Sequence, residues 1–155
     1  DPHFYEGLAS WLDRASPLTV LPLLEEAWPE PGVVRVAARA DHVVLGGDGK
    51  LRFSTGRQEL VSRPSIDVFF ETLAERPKAA ACGVLLTGMG RDGAKGLLAL
   101  RKAGVRTFAQ DEASSVIYGM PRVAKEMGAC DKILALDQMA PALIALAQAR
   151  TGTTE

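Results

Sequence analysis

Apolar positions along this chain follow two rhythms, one near 3.6 residues and one near two, and the switches between them mark its elements. Phe4, Leu8, Trp11, Leu12 and Ala15 share one helical face, which predicts an amphipathic helix over residues 4–14. Residues 19–23 are β-prone, and Pro29-Glu30-Pro31-Gly32 is a turn cluster. Three β-patterned runs follow, VVRVAA, HVVLG and KLRFST, the last two flanking the hairpin signal Gly46-Gly47-Asp48-Gly49. Together they predict a small antiparallel meander at a sheet edge. Ser65 then caps a helix with Asp67 in its first turn, Ile66, Phe69, Phe70 and Leu73 on its buried side, and Pro77 at its end.

The next stretch organises the rest. Val84, Leu85 and Leu86 form an apolar strand that stops at Gly88, Gly90 and Gly93. Helical spacing resumes with Ala94, Leu97, Leu98 and Leu100, and Gly104 sits where a left-handed C-terminal cap belongs. A strand over residues 105–109 completes a βαβ unit. After the polar segment QDEASSVIYGMP come a short helix with Pro121 at its N1 position and Gly128 at its C-terminal end, and a strand over residues 131–136. A closing helix capped by Asp137 carries the stripe Ala140, Leu143, Ile144 and Ala147, and the tail TGTTE is expected to fray. The fold class is α/β: a doubly wound, mostly parallel sheet with an antiparallel β-hairpin or meander at one edge.

Composition narrows the function classes. The 155 residues are 47% apolar and 24% charged, ordinary values for one globular domain. A formal net charge of −1 gives no support to a nucleic-acid partner. No apolar run reaches bilayer-spanning length, so direct membrane insertion is not expected. Cys82 and Cys130 lack CxxC spacing and read as a reduced pair of core residues, with a disulfide or metal pair as the lesser alternative. The chain opens Asp1-Pro2 and enters a helix almost at once, so it is expected to be a fragment whose first strands lie upstream.

Candidate chemistry centres on the glycine-rich loop. Gly88-Met89-Gly90-Arg91-Asp92-Gly93 satisfies GxGxxG between a strand and a helix, and Asp111 lies about twenty residues on, as in a dinucleotide site. Against that reading, the carboxylate of Asp92 would stand at the edge of the very anion site that a pyrophosphate needs. Asp92 suits instead the third member of a Ser-His-Asp triad, with amides near Met89 serving an oxyanion. A plainer reading makes Asp92 the cap of the helix from Ala94. His42 reads as a surface or turn histidine. Ser114 and Ser115 lack a nucleophile elbow and read as residues that shape a cleft or bond the loop backbone.

The segments RPSIDVFF (63–70), GVLLTGMGRDGAKGLLALRKAG (83–104) and AQDEASSVIYGMPRVAKEMGA (109–129) resemble the catalytic domain of the CheB-type chemotaxis receptor methylesterases. The resemblance implies a doubly wound α/β fold and hydrolysis of glutamyl methyl esters, with deamidation of glutamines, on the cytoplasmic helices of chemoreceptors. It implies no cofactor and no metal, a cytoplasmic location, and an upstream phosphorylatable receiver domain. It makes Asp92 the triad aspartate and Met89 the backbone contact of the oxyanion. Gly88, Gly90, Ser115 and Met120 are then residues of the oxyanion and substrate cleft. The family's nucleophilic Ser, in a GxSxG turn, and its His belong before Asp1; His3 aligns a few residues past that His. Residues 1–155 are thus expected to be the larger, C-terminal part of the catalytic domain, inactive alone. The alternative is a non-catalytic esterase-like or dinucleotide-binding module that uses the GMGRDG loop.

Overall fold

A computed structural model describes residues 2–76 and 81–151. Pro77, assigned above as a helix stop, and the tail beyond Thr151 lie outside the described residues.

Helix α1 (Pro2–Ala15) leads into strand β1 (Thr19–Leu23), which pairs in parallel with β2 (Val33–Ala37). Strands β3 (His42–Leu45) and β4 (Leu51–Ser54) form an antiparallel hairpin closed by Gly46 N–H to Lys50 O (2.8 Å) and Gly49 N–H to Gly46 O (2.9 Å). Helix α2 (Ile66–Ala74) packs on β3. Strand β5 (Cys82–Leu85), helix α3 (Ala94–Lys102), strand β6 (Arg106–Gln110), helix α4 (Met120–Glu126) and strand β7 (Lys132–Leu134) then build a parallel sheet of order β5-β6-β7, and helix α5 (Leu136–Thr151) closes the chain.

The βαβ unit forms where the pattern put it. Helix α3 buries Leu97 and Leu100 completely against Leu85, Val105 and Phe70. Its C-terminus is a Schellman motif: Gly104 at φ +82° donates to Arg101 O, and Val105 N–H reaches back to Leu100 O. Helix α4 ends in the same way at Gly128, with Ala129 N–H on Ala124 O. Pro121 sits one residue inside the first helical position, since α4 begins at Met120.

The run VVRVAA does not join an antiparallel meander. It pairs in parallel with β1, Thr19 opposite Val33, through residues 24–32, a connection somewhat shorter than the dozen or more residues a parallel crossover usually takes. Helix α1 turns Leu8, Ala9 and Leu12 toward the sheet and leaves Phe4 and Trp11 mostly exposed. The two candidate stripes share Leu8 and Leu12, so periodicity alone chose the wrong one. In α5 the same ambiguity arises: Met139 is buried, whereas Ala140, Ile144 and Ala147 are exposed. Asp137 lies in the first turn of α5, which starts at Leu136, and does not cap it.

Among the described residues, β1–β2 and β5–β7 do not hydrogen-bond to each other. A groove of about 320 Å³, lined by apolar side chains including Leu23, Ala37, Val43, Phe70 and Val84, separates them.

Candidate active site

The glycine-rich loop leaves the carboxyl end of β5, where loops of parallel sheets gather their chemistry. It is tied down from below. Thr87 N–H donates to the side-chain Oε1 of Gln110 (2.8 Å), and Gln110 Nε2 donates to Ser114 O (2.7 Å). Gly88 N–H donates to Ile117 O (3.0 Å), and Gly88 O accepts from Gly119 N–H and from Met120 N–H (2.9 Å). The loop therefore rests on the segment that starts α4, which brings Gly88 and Met120 together. Met89 projects above it, 82% exposed. The amides of Met89 and Gly90 donate to nothing among the described residues. They are free to meet a developing negative charge.

Asp92 does not cap the helix that follows it. Its carboxylate reaches back to the N-terminus of α2, where Oδ1 accepts from Ser65 Oγ (2.7 Å) and from Asp67 N–H (3.2 Å). Its Oδ2 accepts from Ile66 N–H (2.8 Å). Asp67 returns the favour: its Oδ1 accepts from Gly96 N–H (2.7 Å) in the first turn of α3. Each helix is thus capped by a carboxylate from the start of the other. The crossing is close because α3 opens on Gly93, whose φ of +88° suits glycine. A Cβ there would stand 2.6 Å from Leu85 Cδ2 and 2.8 Å from Ile66. Burial pushes the Asp67 carboxyl above its ordinary value, the negative charge of Asp92 adding to the effect while bonds from the Gly96 and Gly93 amides oppose it.

Behind this arrangement lies His42, which is 1% exposed and not the surface histidine its turn-like position suggested. Its Nδ1 accepts from Ser65 N–H (3.1 Å), and its Nε2 faces Arg57 O at 3.4 Å. The expected sequence signal, a histidine before a β-run, fits either face of a hairpin.

Asp92, Met89 and Gly90 line one cleft of about 420 Å³, together with Arg91, Lys95 and Val61. Ser115 is not among its lining residues. Its hydroxyl donates to Asp111 O (2.6 Å), and that of Ser114 donates to Asp111 Oδ1 (2.6 Å), so both serines hold their own loop. The same Ser114 bonds hold the Asp111 carboxyl below its ordinary value. The features that suggested a dinucleotide site are engaged elsewhere: the amides at the start of α3 already face Asp67, and Asp111 bonds within its own loop. No cluster of His, Cys, Asp and Glu suited to a metal occurs among the described residues. Nor is any described helix long and apolar enough to cross a membrane.

The model of the CheB methylesterase family matches residues 1–143. A protein-glutamate methylesterase/protein-glutamine glutaminase of Burkholderia orbicola is 49% identical over 145 residues, 94% of this chain and 43% of the relative. Another from Burkholderia lata is 48% identical over 148 residues, 96% of this chain and 44% of the relative. The crystal structure of the Thermotoga maritima CheB methylesterase catalytic domain superposes with a TM-score of 0.83 at 33% identity, over 94% of this chain and 79% of that one. The chain spans less than half the length of the curated relatives it matches. With its α/β fold, its glycine-rich loop and these matches, the chain belongs to the CheB methylesterase family.

Proposed function

We propose that the protein carrying this chain hydrolyses glutamyl methyl esters, and deamidates glutamines, on the cytoplasmic helices of chemoreceptors. The reading is supported by the family and by one observation above all: the Asp92 carboxylate is held rigidly at the rim of a cleft beside two unpaired amides. Residues 1–155 are then the C-terminal part of the catalytic domain. The nucleophilic Ser and its His are contributed from upstream, on strands that fill the apolar groove between β2 and β5. A receiver domain further upstream gates the cleft. The setting is cytoplasmic, and the chemistry needs no cofactor.

In this mechanism the Ser hydroxyl attacks the ester carbonyl carbon while the His imidazole takes its proton. Asp92 accepts the hydrogen bond of the other imidazole nitrogen, fixing its tautomer and stabilising the imidazolium. The amides of Met89 and Gly90 face the oxyanion of the tetrahedral intermediate. The imidazolium gives its proton to the methoxide as the tetrahedral intermediate collapses, and methanol departs, leaving a glutamyl-serine ester. Water, deprotonated by the same imidazole, then cleaves that ester and frees the glutamate carboxylate. Deamidation follows the same path with ammonia as the leaving group. The test is methanol release from methylated receptor by the full-length protein with its regulator phosphorylated. Silence under those conditions would sink the esterase reading in favour of a non-catalytic module.

A further inference from the structure

We infer that Ser65 is a positioning residue for Asp92, selecting which carboxylate oxygen faces the catalytic imidazole. The inference rests on the reading of Asp92 as the triad carboxylate and goes beyond it. Asp92 accepts from three donors, and Ser65 Oγ is the single side chain among them; the other two are the amides of Ile66 and Asp67. Those amides run along the α2 axis and hold the carboxylate as a whole at the positive end of the helix. They do not distinguish its oxygens strongly. The hydroxyl does. At 2.7 Å it joins Asp67 N–H on Oδ1, which thereby carries two donors, while Oδ2 carries one, from Ile66 N–H. Oδ2 is left as the oxygen with a lone pair to spare for an imidazole N–H.

The hydroxyl is fixed on every side. Ser65 is 3% exposed, and its Oγ also accepts from Val68 N–H (3.4 Å), so its proton is directed outward to Asp92. Its backbone N–H is held by the buried His42 Nδ1 at 3.1 Å. A serine placed merely to cap α2 needs the bond to Val68 and not the one to Asp92. The pairing of both on one oxygen, anchored by a buried imidazole, is the feature a simple cap lacks.

The two roles separate by substitution. Glycine is nearly as good an N-cap as serine, yet has no hydroxyl to donate. In the full-length protein, Ser65→Gly is expected to lower kcat for methanol release by ~10- to 100-fold, the range for losing one charge-assisted bond, with KM within about twofold. Ser65→Thr, which keeps the hydroxyl, is expected to restore kcat. Wild-type kcat in Ser65→Gly overturns the inference, as does a loss of kcat that Ser65→Thr fails to rescue. An Asp92→Asn variant measured alongside separates the two levels: if it is as active as wild type, the triad reading itself has failed, and with it this inference. If only Asp92→Asn is impaired, Ser65 is a cap and no more.

Discussion

Helices α2 and α3 cross so closely that one methyl group at the crossing decides whether the site holds its shape. A Cβ built on Gly96 would stand 2.6 Å from Phe70 Cβ, 2.9 Å from Asp67 O and 3.0 Å from Asp67 Cα. None of these is the far end of a flexible side chain. Ordinary carbon contacts are near 3.5–4.0 Å, so Gly96→Ala forces the helices apart by about 1 Å. Overpacking of this kind costs roughly 1–3 kcal/mol. Weakening the 2.7 Å bond from Gly96 N–H to Asp67 adds ~1 kcal/mol. Alanine's higher helix propensity returns ~1 kcal/mol. The net expectation is a loss of ~1–3 kcal/mol, together with reduced turnover, because Asp92 is seated on the displaced end of α2. Gly7 provides the control. It lies in α1, is exposed, and has nothing within 4 Å of its would-be Cβ, so Gly7→Ala should stabilise by ~0.5–1 kcal/mol with turnover unchanged. Urea denaturation of the full-length protein, following the transition of this domain, measures both. Equal gains in the two variants would refute the close crossing.

Three further outcomes follow from the same geometry. Burial, with the charge of Asp92, raises the folded-state pKa of Asp67 above the ordinary 3.8, so the folded protein binds that proton more tightly than the unfolded chain. The stability this group contributes is present below pH 3.8 and lost as pH rises through the raised value; Asp67→Asn should lack that loss, and parallel pH–stability curves would contradict the assignment. Burial pushes the thiols of Cys82 and Cys130 from 9.0 up to about 11, so alkylation near pH 8 should run ~100-fold slower than for an ordinary thiol in the native protein. Cys82 lies in β5 and Cys130 two residues before β7, on the far side of β6, about 10 Å away by strand spacing, and non-reducing gels should show no bond between them.

The parts of this fold that the sequence disclosed are those whose physics is local. Gly104 and Gly128 close their helices because a left-handed residue there lets the next amides reach back into the last turn. Ser65 caps α2 because its hydroxyl reaches an amide three residues on. The apolar run before Gly88 and the helical spacing after Gly93 fixed the βαβ unit for the same reason. What escaped depends on which elements meet. Asp92 was assigned as either a cap of its own helix or a catalytic carboxylate. It caps α2, whose first residue, Ile66, lies 26 residues earlier in sequence, since the starts of α2 and α3 lie side by side. No spacing rule carries that information. His42 and the run VVRVAA were misplaced on the same ground: alternation identifies a strand but not its partner, nor which face is covered. In α1 and α5, overlapping stripes fit the period equally well, and tertiary packing chose between them.

The role of Asp92 is tested most directly by methanol release from methylated receptor by the full-length protein and its Asp92→Asn variant. The asparagine keeps the size of the side chain and an oxygen for Ser65 Oγ and Asp67 N–H, losing the acceptor for Ile66 N–H alone, so the fold should survive. A triad aspartate predicts a fall in kcat of about four orders of magnitude, through loss of the correct imidazole tautomer. Equal activity in the two proteins would contradict the account and leave Asp92 as a bracket between α2 and α3 alone.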